Sequence, residues 1–194
     1  MSAHISFRSR ATMYLRVLQD DRKGISAIEF ALILPLVLVL LAGTVDIGQA
    51  LMVDRRMDQI VATVSDLTAQ QSSWTASKLD AILAGSAAIS EPFGKSNLTI
   101  IVAAVSMDAL NKQTVDWSRA FQTTPWIAGN ISPVAISSTV LQSGGQMIVA
   151  RATYSVQTPF ASFLRPLTGI QAYNFTRTTM SSPRNANSIT LTTP

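Results

Sequence analysis

The chain has 194 residues, the length of one modest domain. It carries no cysteine and a single histidine, His4, which excludes a disulfide framework, a lipoprotein attachment site and any histidine or thiolate zinc site beyond that residue. Its net charge of +4 sits at the start: five cations face two acids through Gly24, and the remainder sums to +1, so no nucleic-acid footprint exists.

Residues 1–24 form a basic leader with Arg8, Arg10, Arg16, Arg22 and Lys23 against Asp20 and Asp21. Residues 25–45 follow as an apolar run with one charge, Glu29. As a helix these 21 residues cover about 31 Å, enough to cross a bilayer core once. The cation bias places the N-terminus in the cytoplasm and residues after 45 outside, as a single-pass membrane protein. Ala42-Gly43-Thr44 and Gly48-Gln49-Ala50 fit poorly to the small-residue site of a cleaved secretory signal. Pro35 removes one helical hydrogen bond, which membrane helices tolerate. Glu29 is the informative residue. A carboxylate at a membrane-helix centre costs about 2.5–3.5 kcal/mol, so an acid here serves processing or assembly, or else snorkels to the headgroups six positions from Lys23. The cost favours the functional role.

The block Gly24-Ile25-Ser26-Ala27-Ile28-Glu29-Phe30-Ala31-Leu32-Ile33-Leu34-Pro35 resembles the N-terminal block of the TadE-like family of tight-adherence (Tad, or Flp) pilus assembly proteins, relatives of type IV pilins and pseudopilins. In that family the pattern Gly, four residues, Glu, then Phe or Tyr opens the membrane helix. The resemblance implies that a prepilin peptidase cuts after Gly24, leaving Ile25 as the new N-terminus and Glu29 as the fifth residue of the mature chain. Some relatives keep an uncut anchor. It also implies as partners the peptidase, the pilus inner-membrane platform, and other pilins or pseudopilins. The chemistry stands apart from the name: a cut after Gly24 makes a cationic amine, and Glu29 neutralises either that amine or a neighbouring subunit's in low dielectric.

Residues 46–70 continue the helix outside the membrane. Ala50, Val53, Met57, Ile60, Val64 and Leu67 recur at spacings of three and four and form one apolar stripe. Such a stripe lies on the chain's own sheet or forms a coiled-coil seam with another chain, and its width favours the first. Residues 71–182 read as a small α+β domain. Ala76 to Ile89 is a second helix stopped by Glu91-Pro92-Phe93-Gly94. Leu98 to Ser106 and Thr114 to Ser118 form an antiparallel hairpin about a turn at 108–112, with Val115 and Trp117 on one face. Residues 125–145 read as loop with one helical turn near Ser137 to Leu141. Gln146 to Gln157 alternates cleanly, with Ile148, Ala150, Ala152, Tyr154 and Val156 on one face. Residues 158–169 make a long crossing, Ile170 to Ser181 is the fourth strand, and the Asn-, Ser- and Thr-rich tail 183–194 is frayed. A helix followed by about four antiparallel strands gives a pilin-like α+β fold, the sheet packed on the long helix.

An enzyme is the rival class. Beyond the long helix, in residues 71–194, the acids are Asp80, Glu91, Asp108 and Asp116, and the last two flank a turn where solvated acids are common. Gly94-Lys95-Ser96 echoes the end of a phosphate-binding loop, but its earlier glycine position holds Ile89, so it reads as a turn. Trp74, Trp117, Trp126 and Phe121 are read as core and edge-covering aromatics, with a sugar or peptide platform as the alternative. Arg151, Arg165, Arg177 and Arg184 read as a solvated face with an option for anionic envelope polymers. The sequence therefore points to a non-enzymatic assembly subunit without cofactor, metal or small-molecule substrate. A permanently anchored envelope or cell-wall-binding protein is the second reading.

Overall fold

The computed structural model describes residues 22–169 and 172–192. The basic leader up to residue 21 lies outside the described residues, as do Ile170 and Gln171 of the expected fourth strand. The element order is α1 (Arg22–Ala69), β1 (Ser73–Thr75), α2 (Ala76–Ala87), a 3-10 turn (Ala88–Ser90), β2 (Leu98–Met107), β3 (Gln113–Phe121), β4 (Gln146–Val156), α3 (Ala161–Thr168), β5 (Tyr173–Ser181) and β6 (Thr190–Thr192). The chain divides into two compact units, one ending at Val45 and one beginning at Asp46.

In the first unit, α1 exposes nearly every side chain from Gly24 to Leu41, including Phe30, Leu32, Leu36 and Leu40. The helix is long and apolar enough to cross a membrane. The core helix of a soluble protein buries such residues; here the apolar surface is outermost, the pattern that lipid requires. Pro35 is accommodated within the helix, and the Thr44 hydroxyl donates back to the Leu40 carbonyl at 2.8 Å.

The second unit is built on a sheet of order β3-β2-β4-β5, antiparallel throughout, with β1 and β6 paired parallel as a separate ribbon. One sheet face carries Leu98, Ile100, Val102 and Ala104 of β2 and Ile148, Ala150, Ala152 and Tyr154 of β4. Val53, Met57, Ile60, Val61 and Val64 of α1 join the same buried cluster, so the stripe packs within its own chain. The small Ala104, Ala150 and Ala152 of the sheet share this buried cluster with the larger Met57 and Ile60 of the helix. Leu79 and Leu83 of α2 complete this core. The Tyr154 hydroxyl donates to the Phe93 carbonyl, and burial, with Glu91 nearby, raises the phenol above its ordinary pKa.

Five details differ from the sequence reading. Leu67 is 38% exposed, while Val61, Ser65 and Thr68 are buried in its stead. A straight 3.6-residue helix drifts about 20° per heptad from a 3.5-residue stripe, and by Leu67 that drift has turned the position outward. Val115 and Trp117 do not share a face: Val115 pairs with Val105, Trp117 pairs with Ala104, and Asp116 is bulged out between them. The extra residue reverses the alternation. Segment 158–169 contains α3, which is closed by Gly169 at φ 71°. Residues 126–141 also cover the second sheet face, where Val134, Ile136 and Leu141 pack on Val105, Met107, Met147 and Val149. The Gln113 amide pins that cover by donating to the Ile136 carbonyl and accepting from its N–H. Finally, the tail is not frayed: Ile189 is buried and Thr190–Thr192 pairs with β1.

Ile60→Ala removes a fully buried side chain and is expected to destabilise the chain by about 2–5 kcal/mol, whereas Leu67→Ala stays within about 0.5 kcal/mol. Urea unfolding of the full chain in detergent micelles, read by tryptophan fluorescence, checks both. Because the folded Tyr154 pKa is raised, its contribution is intact below the unfolded value of about 10 and is lost as pH rises through the folded value. Wild-type stability should fall across that window, and Tyr154→Phe should flatten the fall in a pH series of unfolding midpoints.

Candidate functional site

The candidate site is the first turns of α1. Gly24, Ile25, Glu29 and Phe30 are all exposed, Phe30 by 65%. Ile25 and Glu29 are four residues apart in a continuous helix, so they share a face one turn apart. Helical Cβ atoms tilt toward the N-terminus, which aims the Glu29 carboxylate back over the backbone nitrogen of Ile25. Were the chain to begin at Ile25, that carboxylate would lie near both a new ammonium and the positive end of the helix dipole.

Gly24 is informative by what the fold does not ask of it. A Cβ added there would meet nothing within 4 Å. Glycine inside a helix costs about 1 kcal/mol relative to alanine. Neither packing nor backbone conformation explains its presence, whereas a bare, accessible backbone suits recognition by another macromolecule.

The remaining site residues, on the stripe of α1, are placed differently. Ala50, Val53, Met57, Ile60 and Val64 are buried in the chain's own core, and Leu67 is outward. The opposite flanks of this half-helix carry contacts that sequence reasoning missed. Asp46 is only 2% exposed, and its Oδ1 accepts the Phe160 N–H at 3.1 Å, just before α3. Asp54 binds the Arg177 guanidinium, with Asp58 3.3 Å from Arg177 Nε. Asp66 binds Arg184, whose backbone N–H donates to the Ala69 carbonyl at 2.9 Å. The Ser65 hydroxyl donates to that of Ser181 at 2.7 Å. Asp54 holds the Arg177 guanidinium above its ordinary pKa, and Asp80 does the same for Arg119 through two hydrogen bonds. Arg177 and Arg184 thus remain solvated, with side chains 42% and 60% exposed, while pairing with acids of α1, and Arg151 lies 5.3 Å over the Trp126 ring.

Other candidates for chemistry also have structural partners. Asp108 caps its turn by accepting the N–H groups of Leu110 and Lys112. Asp116 accepts from the Ser106 hydroxyl and the Gln146 amide. Trp74 and Trp117 are buried and donate to the carbonyls of Thr68 and Ile189. Gly94 adopts φ 82° within a turn. Among the described residues no three His, Cys, Asp or Glu side chains converge as metal ligands.

Residues 24–65 match the family model described as TadE-like protein. The match covers the Gly24 to Phe30 block and most of α1 and ends before β1. Neither the curated proteins nor the solved structures yield a match to this chain.

The Asp46 contact gives a direct test. Asp46→Ala leaves the Phe160 N–H without its carboxylate and is expected to lower stability by about 1–3 kcal/mol, while Asp46→Asn, which keeps an acceptor, restores most of it. Denaturation midpoints of the two variants in micelles decide the point.

Proposed function

We propose that this chain, TadE-like over residues 24–65, is a minor pilin-like (pseudopilin) subunit in the biogenesis of a tight-adherence type IV pilus. It is anchored in the inner membrane with its N-terminus in the cytoplasm, and it acts by assembly contacts rather than catalysis. The observation that carries this reading is the coincidence of the family match with an exposed Gly24 and Glu29 at the head of an outward-facing apolar helix.

Physical chemistry supports a division of labour along α1. The apolar first half holds the subunit in the bilayer and offers helix-to-helix contacts once lipid is left behind. Gly24 presents an unhindered backbone to the prepilin peptidase. After cleavage, Glu29 neutralises the Ile25 ammonium of its own chain or of a neighbour. An intersubunit pair in low dielectric would set axial register, since a carboxylate and an ammonium both pay heavily when buried apart. The second unit presents the recognition surface for the inner-membrane platform and for other pilins.

N-terminal sequencing and intact mass of the protein from membranes of cells with and without the peptidase test this reading. An Ile25 terminus that appears only with the peptidase is expected. An uncut terminus in both strains overturns the pseudopilin route and favours a permanent envelope-binding anchor. With cleavage established, Glu29→Gln should impair cleavage, membrane insertion or co-assembly with partner pilins; a variant normal in all three removes Glu29 from the mechanism.

A further inference from the structure

We infer that lipid contact along α1 does not stop at Val45 but includes Ile47, Leu51 and Met52, with Arg55 and Arg56 on lipid phosphates of the outer headgroup layer. This rests on the reading of α1 as membrane-spanning. Asp46 is the feature that makes the apolar run look finished in the sequence. In the structure that carboxylate faces inward, 2% exposed, and is taken up by the Phe160 N–H. The outward positions just beyond it are apolar: Ile47, Leu51 and Met52 are 57%, 58% and 53% exposed. Ile47 and Leu51 lie four residues apart in the helix and share one outward face.

Length agrees. From Ile25 to Met52 the helix has 28 residues, about 42 Å, which matches the roughly 40–45 Å of a bilayer with its headgroup zones rather than the 30 Å hydrocarbon core alone. The next outward residues are Arg55 and Arg56, both exposed, while the acids beside them, Asp54 and Asp58, are engaged by Arg177. Two outward cations directly after an apolar surface suit the anionic phosphates of a lipid leaflet, long side chains reaching to the interface as their apolar stems lie below.

The absence of native cysteine permits single-thiol variants of the full chain in proteoliposomes: Leu40→Cys, Leu51→Cys and Ala62→Cys, challenged on both sides with a membrane-impermeant maleimide. The thiolate is disfavoured in a low-dielectric layer, so Leu51→Cys should react about tenfold more slowly than Ala62→Cys, as Leu40→Cys does. Adding Arg55→Gln and Arg56→Gln should speed labelling of Leu51→Cys in vesicles containing phosphatidylglycerol and leave it unchanged in phosphatidylcholine alone. If Leu51→Cys reacts as fast as Ala62→Cys while Leu40→Cys stays protected, the extended surface is wrong and the membrane span stands. If Leu40→Cys also reacts freely, the span itself fails. Protection of Leu51→Cys that grows with protein density, with crosslinks between copies, would assign the face to a second copy and overturn the lipid contact.

Discussion

The second unit depends on one apolar seam. The sheet's inner face is lined by fully buried residues of β2 and β4, and Val53, Met57, Ile60 and Val64 of α1 are what close it. Each such side chain contributes about 1.5–3 kcal/mol on burial, while part-exposed ion pairs of the kind made by Asp54, Asp66 and Asp80 contribute about 0.2–1 kcal/mol. Packing therefore supplies the stability. The ion pairs supply direction: a row of nearly equivalent apolar contacts tolerates rotation of the helix about its axis, and the bonds from Arg177 and Arg184 do not.

The same helix treats two of its acids, Glu29 and Asp46, in opposite ways. Asp46 is folded away and satisfied by a backbone N–H, a structural use of charge. Glu29 stands exposed in apolar surroundings without a fold-level task, as Gly24 stands without a packing reason. Where a residue is expensive in its setting and unnecessary to the fold, recognition or assembly is the economical explanation.

How much was legible follows from the range of the interactions. The Gly24 to Phe30 block is local, so its spacing is complete in the sequence. The alternation of β4 is likewise local, and Ile148 through Val156 fall on the face they were expected to occupy. The bulge at Asp116 leaves no mark in its own strand, because only the register against β2 reveals the extra residue. Helix α3 was hidden by Pro166 within it and Pro159 before it. The Asp–Arg clamps join residues more than a hundred positions apart, yet a signal existed: the half-helix from Asp46 has more acids than cations, and the chain after Asp116 contains arginines and no acid at all. That complementary imbalance is what a charge count by segment, rather than by whole chain, exposes.

The pairing of β1 with β6 bears on when the fold can close. Thr192 donates to the Trp74 carbonyl across 118 positions of sequence, and Ile189 fills the core beside Trp117. Contacts of that separation form late, because the intervening loop must first close. Until residues 189–192 dock, the core lacks Ile189 and Trp117 lacks its acceptor. The second unit is therefore sealed by the last of its described strands, and a fold without disulfides depends on that strand to finish it.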